Sequence, residues 1–197
     1  MGDLMTGRIL VAGVGNVFLR DDAFGVEVVR LLAERPQPPG VQIRDFGIRG
    51  VHLAYELLNG YDLFVLVDAA PRGEAPGTVS VLEVDMPGPE DPQAQPVIDA
   101  HSLTPDAVFV LLSSLGGHPG RSLVVACEPA EVDAGMGLTD PVRAALPDAV
   151  RAVEEILAEA IPGGRPEEGP EEGPEESRAA EQAKDERECM ADLETSR

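Results

Sequence analysis

Leu63-Phe64-Val65-Leu66-Val67 is an unbroken apolar run that stops at Asp68. A run without in-and-out alternation suits a strand covered on both faces, the situation in a parallel sheet flanked by helices. It is expected to be central, and to deliver Asp68 to its carboxyl end. Outward from it the same grammar repeats. Arg8 to Gly13 reads as the first strand, and Phe24, Val28, Leu31 and Leu32 at helical spacing predict a helix from about Asp22 to Glu34, stopped before Pro36. Val41 to Phe46 reads as a second strand. His52 to Leu58 reads as a short helix with Leu53, Leu57 and Leu58 on one face, closed by Asn59-Gly60.

Beyond the central run, Thr78 to Val84 predicts another strand, left through a loop rich in Pro and Gly that reaches Ala100. Thr104-Pro105-Asp106 opens a helix with a hydroxyl cap, a first-turn proline and an early carboxylate, and Val108, Leu111, Leu112 and Leu115 continue it. Ser122 to Cys127 is a further buried strand. Thr139-Asp140-Pro141 repeats the helix start for a last helix to about Ala160, which Pro147 should bend or split. Strands alternating with helices predict an α/β fold with a mostly parallel sheet.

The 197 residues suffice for one buried core, and 43% hydrophobic residues is ordinary for a globular chain, whereas a net charge of −21 is large. Residues 162–197 carry 12 acidic and 5 basic residues, a net of −7, which leaves −14 on residues 1–161. That segment repeats Pro-Glu-Glu-Gly and offers little apolar surface, so the predicted organisation is one domain over 1–161 and an acidic, disordered tail over 162–197. An acidic body without a basic cluster cannot neutralise phosphates, which argues against nucleic acid and anionic membrane surfaces as partners. No stretch approaches a membrane span or a secretory signal, and Cys127 and Cys189 form neither a disulfide framework nor a ligand pair. The expectation is a cytoplasmic protein in a reducing compartment, with Cys127 a small buried hydrophobe.

The loop after the first strand, Gly13-Val14-Gly15-Asn16-Val17-Phe18-Leu19-Arg20-Asp21-Asp22, begins like a dinucleotide fingerprint and then departs from it. Phe18 occupies the third glycine position, and two carboxylates arrive where a phosphate would need open amides. Asp45 imitates the ribose-binding acid of such folds. Asp21 and Asp22 also suit a plain role as acids at a helix start, Asp68 a role as a loop acid, and His101 a role as a helix-capping histidine. In an open parallel sheet, however, ligands bind beyond the carboxyl ends of the strands, where Asp22 and Asp68 could share one crevice. With His101 they make a mixed oxygen and nitrogen set suited to a divalent first-row metal.

These residues resemble the hydrogenase maturation endopeptidases, which trim the carboxyl-terminal extension of the nickel-iron hydrogenase large subunit. The resemblance spans about Arg8 to Leu157. It rests on Gly13-Val14-Gly15-Asn16 with Asp21-Asp22-Ala23-Phe24-Gly25, on Asp45-Phe46-Gly47-Ile48-Arg49-Gly50, on Val67-Asp68-Ala69, on His101-Ser102-Leu103 and on Gly137-Leu138-Thr139, five motifs in one order. Ile48-Arg49 departs from the small residues and threonine often found in that family's second loop. The resemblance implies a three-layer α/β/α fold around a twisted sheet of about five strands. It implies a metal-binding trio at Asp22, Asp68 and His101, and a catalytic set of Asp22, Asp45 and Asp68 of the aspartyl type. It also implies nickel, carried by the precursor, as the recognition element. Either a carboxylate assists a water while that nickel polarises the scissile region, or a metal held by the trio acidifies the water. The competing reading is a non-catalytic module, for a nucleotide or for hydrogenase assembly.

Overall fold

The computed structural model describes residues 7–84 and 105–161. Five strands, β1 (Ile9–Val14), β2 (Val41–Gly47), β3 (Leu63–Ala69), β4 (Val79–Glu83) and β5 (Arg121–Cys127), form one sheet in the order β2-β1-β3-β5-β4. All neighbours are parallel except β4, which runs antiparallel along the edge beside β5. The Leu63 run is therefore the middle strand, and its six residues from Leu63 to Asp68 are all buried.

Four helices cover the sheet: α1 (Phe24–Ala33), α2 (Gly50–Leu57), α3 (Pro105–Ser114) and α4 (Asp140–Ala160). Strand alternation sends Val11, Val65 and Val125 into one apolar layer with Phe24 and Val28 of α1 and Val142 and Val153 of α4. The intervening residues Leu10, Phe64 and Val124 pack with Leu53 of α2 and Leu112 of α3 in the other. Phe64 meets Phe109 edge-on at 6.0 Å. Each fully buried side chain of this size contributes roughly 1.5–3 kcal/mol, so two such layers account for the three-layer α/β/α architecture.

The helices differ in detail from their sequence patterns. Leu31, Leu58 and Leu115, each predicted to lie on an apolar face, are exposed; the packed positions are Val29, Ala54 and Phe109 instead. Helix one is preceded by a separate 3-10 turn, Arg20–Ala23, that carries both acids of the pair. Pro147 does not split α4, which runs unbroken through it. The loss of one backbone donor there costs about 3 kcal/mol, and burial of Val142, Ala145, Ala149, Val150 and Val153 outweighs it. No helix among the described residues is long and apolar enough to cross a membrane. The predicted tail, Cys189, Thr104 and His101 lie outside the described residues.

Candidate active site

The chain leaves β1 to build β2 on one side and later returns to place β3 on the other, so β1 and β3 flank the point where strand order reverses. Crevices for ligands open at such points, beyond the carboxyl ends of the strands. The 3-10 turn with Asp22 follows β1, and Asp68 lies one residue from the end of β3. Missing side chains make the close approach possible. A Cβ on Gly25 would lie 2.1 Å from the Val67 carbonyl oxygen and 2.4 Å from that of Val14, and a Cβ on Gly15 would lie 1.7 Å from the Asp22 carbonyl oxygen. Gly15 also has a φ of +129°, open to glycine and costly for other residues.

Burial raises the Asp68 carboxyl, the negative charge of Asp22 raises it further, and a hydrogen bond from the Ala69 amide opposes both; the result is a pKa of about 7. Asp22 is half-buried and accepts the Asn16 N–H at Oδ2, 2.7 Å away. The pair thus concentrates negative charge in a partly dry crevice, where a proton or a cation relieves the repulsion. Asp45 stands in the row of the sheet that continues through Gly13 to Val67. Two strand spacings separate it from β3, about 10 Å, too far to share a small ion with Asp68 but within the span of a peptide laid across the strands. Its carboxylate is exposed and has no hydrogen-bond partner among the described residues, while its backbone carbonyl accepts from the Arg49 guanidinium at 2.7 Å.

Asp22 and Asp68 are therefore neighbours, Asp45 stands apart on the adjacent strand, and His101 lies outside the described residues. Among the described residues no three His, Cys, Asp or Glu side chains gather as a metal cage. Cys127 is wholly buried, as expected; burial first, then the charges of Asp21 and Glu128, push its thiol up to about 11, which makes it inert as a nucleophile.

Asp21 is the residue whose role the sequence did not reveal. Its carboxylate is fully buried and accepts the Ala130 and Glu131 amides at 2.9 Å each, the Thr139 amide at 2.7 Å and the Thr139 hydroxyl at 2.9 Å. Burial favours its neutral form, but the hydrogen bonds from Glu131, Thr139 and Ala130 outweigh burial and hold it below the usual carboxylate range. Asp21 is thus no helix-capping acid. Nor does the Thr139 hydroxyl cap α4, since it donates to Asp21 instead. The partners lie 109 to 118 residues away in sequence, so no local pattern announced the contact.

The nucleotide reading fails on the same loop. The Gly15 amide bonds to the Gly47 carbonyl, the Asn16 amide to Asp22, the Phe18 amide to the Asn16 side chain and the Leu19 amide to the Asn16 carbonyl. The donors that would cradle a pyrophosphate are already satisfied internally.

Comparison with known proteins bears on the family and the fold. Residues 26–156 match the family described as HycI, hydrogenase maturation protease. The hydrogenase expression/formation protein HoxM of Azotobacter vinelandii is 35% identical over 156 residues, 77% of this chain and 73% of its own length. The hydrogenase 2 maturation protease of Escherichia coli K12 is 33% identical over 161 residues, 79% and 96% of the two chains. The solved structure of the Escherichia coli hydrogenase maturating endopeptidase HybD superposes with a TM-score of 0.63 at 31% identity, covering 78% of this chain and 93% of that one.

Proposed function

We infer the mechanism from the premise that this chain belongs to the hydrogenase maturation protease family. It is an endopeptidase that processes a hydrogenase large-subunit precursor. We propose that Asp22 and Asp68, with His101, hold the nickel that the precursor carries, so that the extension lies across the carboxyl ends of β1 and β2. The observation that carries this reading is Asp68, buried at the end of the middle strand beside Asp22 and raised to about 7. A pair of carboxylates whose charges repel in a partly dry crevice is a donor set short of a cation. The bound nickel supplies positive charge that polarises the neighbouring peptide.

Asp45 is the carboxylate we assign to the water. Exposed and unpartnered among the described residues, it is free to accept a proton. In the proposed step Asp45 takes a proton from water as the water oxygen bonds to the scissile carbonyl carbon. The C–N bond then breaks, and the proton passes to the departing amine. The buried acid Asp68 does not compete for the role, because in this reading its carboxylate is a ligand of the cation.

Incubating the protein with a nickel-loaded precursor, and weighing the product by mass spectrometry, tests this assignment. The wild type should shorten the precursor, and Asp68→Asn, Asp22→Asn and Asp45→Asn should not, while each melts at or above the wild-type temperature. Variants that are destabilised yet still cut would remove these residues from the site.

A further inference from the structure

Of the large hydrophobic side chains exposed among the described residues, the three most exposed are Met136 at 75%, Ile48 at 69% and Phe18 at 64%. Scattered apolar side chains are normal on a surface, but these three are not scattered. They sit on the loops that leave the carboxyl ends of β5, β2 and β1, the end of the sheet where Asp22 and Asp68 meet. Backbone bonds stitch the loops together. The Gly135 amide donates to the Phe18 carbonyl at 2.9 Å, the Arg20 amide to the Gly135 carbonyl at 3.1 Å, and the Gly15 amide to the Gly47 carbonyl at 3.1 Å. Asp21 pins the Met136 loop from beneath through Ala130, Glu131 and Thr139. Three apolar side chains held out by a bonded scaffold are a feature of the fold, and not frayed core.

The charges at this end select what covers them. At this end Asp22, Asp45, Asp68 and Asp133 outnumber Arg20, Arg49 and Arg72, and each arginine stands beside groups of its own: Arg20 pairs with Glu131 at 3.3 Å, Arg49 donates to the Asp45 and Phe46 carbonyls, and Arg72 lies next to Glu128, which accepts its amide and feels its charge. A second copy of this chain, net −21, and its own residues 162–197, net −7, bring like charge to the same place. The occupant is a different polypeptide, neutral or basic.

We propose that Phe18, Ile48 and Met136 form an apolar docking rim for a segment of the hydrogenase large-subunit precursor that adjoins the peptide to be cut and carries large apolar side chains beside neutral or basic ones. The proposal rests on the peptidase reading above and adds to it a second point of contact. The rim binds in the ground state and the transition state alike, so it sets affinity and leaves the chemical step alone.

The test compares the wild type with the triple variant Phe18→Ser, Ile48→Ser, Met136→Ser, and with the conservative triple Phe18→Leu, Ile48→Val, Met136→Leu. Dissociation constants for the nickel-loaded precursor are measured by calorimetry, and cleavage by steady-state kinetics. The serine variant should weaken binding and raise KM by about tenfold or more with kcat within about twofold, while the conservative variant stays near wild type. Unchanged binding by the serine variant overturns the rim, as does a fall in kcat at constant KM. Wild-type self-association that the serine variant abolishes, with precursor affinity unchanged, gives the rim to a second copy and also overturns it. A wild type that binds precursor through the rim yet never shortens it refutes the peptidase assignment and supports the rim.

Discussion

Replacing Asp68 with Asn should stabilise the metal-free protein while abolishing processing, and the gain should depend on pH in a defined direction. The Asp68 carboxyl stands at about 7 in the folded chain against 3.8 for the free group. Between those values the folded state holds a proton that the unfolded state has released, so stability falls as pH rises through the window and stays low above it. Three units at about 1.4 kcal/mol each set an upper limit of ~4 kcal/mol on the cost of the charged form. Asn is neutral throughout and escapes that cost. Its advantage over Asp should widen by roughly 2 kcal/mol between pH 5.5 and 8.5, because only the part of the window below 7 is crossed. Urea unfolding in the presence of a chelator, with the midpoint followed at four or five pH values, measures the widening. A constant gap, or a variant less stable than wild type at pH 8.5, would refute the claim that burial and Asp22 strain this carboxyl. Nickel added to the wild type at pH 8.5 should recover the difference, and should do little for Asp68→Asn.

Asp21→Asn removes a buried charge that accepts four hydrogen bonds, so it should cost about 3 kcal/mol at neutral pH by chemical denaturation. Because this carboxyl is held below its ordinary value, its contribution is present above pH 3.8 and is lost as pH falls through that value and below it, opposite in sign to Asp68. Gly25→Ala places a Cβ 2.1 Å from the Val67 carbonyl oxygen, and backbone cannot yield as a side chain can; a loss of about 3 kcal/mol or more is expected, and an unchanged melting temperature would mean that β3 and α1 separate freely. Calorimetric titration with dinucleotides and nucleoside triphosphates should give no saturable signal, since the Gly15, Asn16, Phe18 and Leu19 amides are already bonded.

How far the sequence could be read follows from the range of each interaction. The Leu63 run announced a doubly covered strand because both its faces are apolar, and the parallel register with β1 and β5 bears that out. Asp68 was legible because an acid that closes an apolar run needs no distant partner to be noticed, and Asp22 because it opens the helix that follows the first strand. Helix faces were less legible. Leu31, Leu58 and Leu115 fit the period, yet a helix on a sheet buries a stripe narrower than its apolar face, and only the neighbouring element decides which edge of that face is left in water. Asp21 marks the limit: its four donors come from a loop more than a hundred residues away, so local grammar assigned it to a helix start that it does not cap. The apolar rim lies beyond the same limit, because Phe18, Ile48 and Met136 stand in three loops far apart in sequence until the sheet order gathers those loops at one end. In this fold the acids that meet in the crevice are written locally, one at the end of β3 and one in the turn after β1, whereas what holds the crevice in shape and what covers it are written across the loops.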